Sequence, residues 1–81
     1  MTRRASSDAK LDRRMRADLG ARVRSLREQA GLTQEDLVGP NLSRAGIAKI
    51  ETGASWPSIR AIVHLGHALR VRPRLLIPKD W

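Results

Sequence analysis

Few side chains in this chain can carry covalent or metal chemistry. It has no cysteine, which excludes disulfides, thiolate-bound metals and a thiol nucleophile. His64 and His67 stand three apart, a spacing that lets two imidazoles share one helix face, yet no Asp, Glu or third His accompanies them. No metal and no cofactor are therefore expected. Neither a carboxylate pair, nor a nucleophile with its base, nor a glycine-rich phosphate loop can be assembled from the spacing, so an enzyme is not expected either. What remains is the chemistry of recognition. Sixteen basic side chains face eight acidic ones, a net charge of +8. All but Lys10, Lys49 and Lys79 are Arg, whose planar fork suits phosphates and guanine edges. A sequence pI near 11.7 in so small a domain points to a polyanion. Two Trp without any Phe or Tyr argue against a stacking platform for single strands. The charge points to a nucleic acid of some kind, the alternatives being a solvated basic surface or a ribosomal or membrane-surface protein, and no small-molecule ligand is expected.

The elements that must present these cations read as helices. Leu11, Met15, Leu19, Val23, Leu26 and Ala30 recur at steps of three or four, an apolar stripe on one long helix that Gly31 ends. Thr33 can cap a short second helix over Gln34–Val38, with Glu35 and Asp36 in its first turn. Gly39-Pro40-Asn41 stops it, and Leu42 can plug the turn into the core. Ser43 caps a third helix, Arg44 to Thr52, with Ile47 and Ile50 facing inward and Gly53 at its end. Ser58 caps a fourth, whose buried face is expected to be Ile59, Ile62, Val63, Gly66 and Leu69. Pro73 opens one last turn and Pro78 closes it.

The fold class expected is all-α, a compact five-helix bundle. Residues 1–10 read as a flexible basic arm, 11–77 as the folded domain and 78–81 as a tail. The apolar runs are too short for a membrane span, and the basic start lacks the apolar segment of a secretory signal. A cytoplasmic, nucleoid-associated location is the expectation. Two short helices joined by a tight turn, the second capped by Ser and ended by Gly, give the outline of a helix-turn-helix over Thr33–Gly53.

The residues around that outline carry a resemblance. The strings Leu19-Gly20-Ala21-Arg22-Val23-Arg24-Ser25-Leu26-Arg27 and Gly31-Leu32-Thr33-Gln34-Glu35-Asp36-Leu37 are similar to the lambda-repressor-like (Cro/cI, XRE) DNA-binding family. So are Leu42-Ser43-Arg44, Ile47 through Gly53, Pro57-Ser58 and Ala68-Leu69, so that the resemblance covers about residues 19–77. It implies that Arg44, Ala45 and Lys49 face the bases. Arg44 suits a guanine edge and Ala45 a thymine methyl group. Gln34 matches a position that binds phosphate and braces the recognition helix. Ser43, Thr52, Ser55 and Arg60 lie where phosphates approach. Arg27 and Glu51 match a structural ion pair between the first helix and the end of the recognition helix.

The sequence also departs from that family. The stretch between Leu37 and Ser43 is one residue shorter than usual and carries Gly39-Pro40 where most members continue the second helix, which leaves the angle between the two helices open. Gly46, inside the recognition helix, reads either as a place of close backbone approach or as mere tolerance. Trp56 reads as a staple at the core edge rather than a DNA wedge. Arg3, Arg4, Lys10, Arg13 and Arg14 form either a minor-groove arm or a non-specific basic tail.

A sequence-specific regulator, acting as a repressor or autoregulator, is the expected function. One such domain buries a modest interface, so a homodimer on a symmetric site is expected. Leu75, Leu76, Ile77 and Trp81 supply either the dimer surface or a cap on the chain's own core. Two alternatives keep the fold: an antitoxin that binds a partner toxin and represses its own promoter, and a protein-interaction module that has lost DNA reading.

Overall fold

The computed structural model describes residues 2–81, with side chains from Asp8 onward. Three α-helices and two single 3-10 turns make up the described chain: α1 (Thr2–Gln29), a 3-10 turn (Glu35–Leu37), α2 (Arg44–Glu51), α3 (Ile59–Leu69) and a second 3-10 turn (Pro73–Leu76). The expected five helices are thus three, and the local chemistry explains why. Between Thr33 and Gly39-Pro40 there is room for one turn. It is closed by a reciprocal cap in which the Thr33 amide donates to Asp36 (2.8 Å) and the Asp36 amide donates to Thr33 (3.2 Å). The last element is bracketed by Pro73 and Pro78 and cannot lengthen.

Among the described residues ten side chains form the core: Leu19 and Val23 from α1, Leu37 and Leu42 from the turn region, Ile47 and Ile50 from α2, Ala61, Leu65 and Leu69 from α3, and Leu76 from the second 3-10 turn. The caps read from the sequence are in place on α2 and α3, where the Ser43 and Ser58 hydroxyls accept from the Gly46 and Ala61 amides, each at 3.0 Å. The buried face of α3 agrees with the expected one at Gly66 and Leu69, with Ile62 half-buried against the core, and differs at the other two positions. Ile59 is 78% exposed and Val63 is also exposed, while Ala61 and Leu65 take the inward positions. Apolar residues lie on more than one face of α3, and packing alone selects among them. The second 3-10 turn folds back so closely that a Cβ on Gly66 would stand 3.0 Å from the Pro73 Cα.

Helix α1 runs unbroken from Thr2, so the backbone of residues 2–10, expected to form a separate arm, continues the helix. Met1 and the side chains of residues 2–7, including Arg3 and Arg4 of that arm, lie outside the described residues. Twenty-eight helical residues span about 42 Å at 1.5 Å each, which accounts for the 43 Å long axis of the molecule. The apolar stripe of α1 is deeply buried at Leu19 and Val23 but exposed at Leu11. Near Leu11 the Trp56 indole donates to Asp12 (2.8 Å) and meets Trp81 edge-to-face, with ring centroids 6.2 Å apart. That pairing ties the loop after α2 and the C-terminal tail to the same stretch of α1. No helix of the described chain is long and apolar enough to cross a membrane.

Candidate nucleic-acid interface

Helix α2 is short and sharply two-sided. Ile47, Ile50 and Glu51 are buried, whereas Arg44, Ala45, Lys49 and the capping residue Thr52 are exposed. At 100° per residue the exposed set spans one contiguous face, with Ala48 in its middle. Ala48 was missed in the sequence reading, although its spacing of four from Arg44 and three from Ala45 places it there. Two alanines between two cations let the helix backbone lie close to a base edge, flanked by groups that reach further. Among the described residues Arg44, Lys49 and Arg60 make no ion pair, so these cations are unspent. Gly46 sits on the flank of α2, where a Cβ would stand 3.3 Å from Leu42 Cδ1 and 3.4 Å from Ser43 Oγ, away from the exposed face.

The C-terminal end of α2 is held by charge. Arg27 of α1 grips Glu51 through two hydrogen bonds, Nε to Oε2 at 2.7 Å and Nη2 to Oε1 at 3.0 Å. Its third donor, Nη1, reaches the Leu32 carbonyl at 2.9 Å. The Gln34 amide adds a bond to Glu51 Oε1 at 3.1 Å, linking the region before the first 3-10 turn to the same carboxylate. Burial works to raise the Glu51 pKa, but the hydrogen bonds from Arg27 and then Gln34 outweigh it and hold the carboxyl below its ordinary value. The hydrogen bond to Glu51 likewise raises Arg27 against the opposing effect of burial. Helix α1 can come this close because position 20 is glycine, whose missing Cβ would overlap the carbonyl oxygen of Ile50. Gly53, at φ +77°, then turns the chain away beneath Ala17.

The expected phosphate-facing residues divide into two groups. Gln34 spends its amide on Glu51, so it braces α2, and its side chain is only half-exposed. Ser43 uses its oxygen as the cap of α2 and retains a hydroxyl hydrogen to donate. Thr52 points its hydroxyl back to the Ala48 carbonyl at 3.0 Å, so its hydrogen is engaged within the helix. Ser55 is half-buried in the loop, and Arg60 is exposed near the start of α3. Of the expected dimer surface, Leu76 is fully buried in the chain's own core and drops out. Ile77 packs against that core, leaving Leu75 and Trp81 exposed.

The shortened connection between the first 3-10 turn and α2 is compact. Gly39 and Leu42 exchange both backbone hydrogen bonds, at 3.0 and 3.1 Å, around Pro40 and Asn41. Leu42 enters the core, and Ser43 starts α2 in the next position. The three-part outline of a short turn of helix, a tight connection and an exposed capped helix is thereby complete.

No curated protein and no solved structure matches the chain. A family model described as a helix-turn-helix domain matches residues 18–77, from the buried half of α1 to the end of the core. The chain therefore belongs to the helix-turn-helix domain family, a membership that implies DNA as its partner.

Proposed function

We propose that the chain reads double-stranded DNA in a sequence-specific way as a small transcriptional regulator of the lambda-repressor-like type, a repressor or autoregulator, with α2 in the major groove. The observation that carries this reading is the exposed face of α2, which presents Arg44, Ala45, Ala48 and Lys49 while the opposite face is buried. A capped helix of eight residues fits the groove, and an unpaired Arg near its N-terminal end suits a guanine edge. The excess of positive charge supplies attraction to any duplex, so the α2 face is what adds sequence preference.

The protein acts as a homodimer in the cytoplasm, on the nucleoid, without metal, cofactor or catalytic activity of its own. Exposed Leu75 and Trp81 support the dimer, and Ile59 and Val63 on α3 add apolar surface that a single copy leaves open to water. Exposed Ile59 and Val63, four apart on α3, favour a second reading, in which a partner protein such as a toxin docks there. Selection of bound fragments from random duplex DNA tests the proposal. A common motif repeated with two-fold symmetry is expected, whereas recovery of unrelated sequences would leave only non-specific binding.

A further inference from the structure

The turn that leads into α2 is contacted by a side chain from α3. His64 sits on α3, and its Nε2 is 2.7 Å from the Leu37 carbonyl oxygen, 27 residues earlier in the chain. A carbonyl oxygen only accepts, so Nε2 carries the hydrogen and donates it. Leu37 ends a three-residue 3-10 turn, and the last carbonyls of a helical segment lack partners within it. Here α3 supplies the donor. The imidazole also fills the space over Gly39, where a Cβ would collide with the ring. Gly39 in turn exchanges both backbone hydrogen bonds with Leu42, the residue before the Ser43 cap. Ring, turn and cap thus form one unbroken path of contacts from α3 to the first residue of α2.

We propose that His64 is a positioning residue for DNA reading: by bonding Leu37 and packing on Gly39, it fixes the shortened turn and so the seat of α2. This rests on the reading of α2 as the base-facing helix. The residue compensates for the short connection, because a turn with so few residues has no second layer of its own to hold it. A cleft lined by Pro40, Asn41, Leu42, Arg60, Ala61 and His64 itself lies beside the turn, so among the described residues no further side chain packs there to hold it.

The test compares the full chain with His64→Leu, His64→Gln and Arg44→Ala. The readout is discrimination, the ratio of affinities for the best duplex from a random selection and a scrambled duplex of equal length. His64→Leu fills the space but cannot donate, and its discrimination is expected to fall about tenfold, of the order of one lost base contact. Its salt dependence should not change, because the phosphate contacts remain. His64→Gln keeps a donor and should stay within about threefold of the unmodified chain. A folded His64→Leu with full discrimination overturns the proposal. Should His64→Leu not fold, nitrogen NMR of the unmodified protein decides: the Nε2–H tautomer is required, and the Nδ1–H tautomer overturns it. Arg44→Ala separates the two ideas, since unchanged discrimination there defeats the base-facing reading itself and the proposal with it.

Discussion

The two ends of α2 are anchored by different physics. At the C-terminal end a buried carboxylate is shared by Arg27 and Gln34, so α1, the first 3-10 turn and α2 meet on one charged atom pair. At the N-terminal end the anchors are neutral: a Ser43 cap, a two-bond turn at Gly39 and Leu42, and the His64 contact beneath it. The difference teaches where this domain is brittle and where it is adjustable. A buried charge left without its partner is costly, even though Arg27 would keep its bond to the Leu32 carbonyl. A neutral turn, apart from buried Leu42, can shift at the cost of a hydrogen bond or two. Breaking the charged end should therefore act mainly on stability, and breaking the neutral end mainly on how α2 is presented.

Breaking the charged end has the largest expected effect. Glu51→Ala strands the Arg27 guanidinium and should cost about 3–5 kcal/mol in urea unfolding, much of the stability of so small a domain. A loss under about 1 kcal/mol would mean that solvent already screens the pair. Acid sharpens the same contrast. Because the folded-state pKa of Glu51 is depressed, its contribution is fully present above the unfolded value and is lost as pH falls through the lower folded value. Stability should therefore decline below about pH 4.3, and Glu51→Gln should flatten that decline in a pH series of unfolding curves. Exposed Asp36, whose carboxyl is lowered by the Thr33 amide and hydroxyl, acts in the same direction. The neutral end gives the smallest change: Ser43→Ala should cost about 1 kcal/mol, measured by the same unfolding, with the acid limb unaltered.

Much of this asymmetry can be read in the residues. Ser43, Gly53 and Ser58 mark the bounds of α2 and the start of α3, because a cap acts within three residues of itself and leaves its mark locally. Arg27 and Glu51 are paired by the family resemblance, and the distances put them together. Other features depend on partners that leave no mark. His64 bonds a backbone carbonyl, which any residue at position 37 would supply, so no pattern in the chain announces it. Ile59 and Val63 look as buried as Leu65 by type, and only the fold-back of Pro73 onto Gly66 shows which face turns inward. The meeting of Trp56 with Trp81 requires the tail to return along α1, a long-range event without local signal. The single 3-10 turn at Glu35–Leu37 follows from a connection too short for a full helix, but the length alone does not choose between the two geometries.

The central claim is that the exposed face of α2 reads bases, and Arg44 is its most direct probe. The measurement is the affinity of Arg44→Ala for the selected duplex and for a scrambled one, across a salt series. The account predicts a loss of about 1–3 kcal/mol on the selected duplex, with little change on the scrambled one. An equal loss on both duplexes, or none on either, would contradict it.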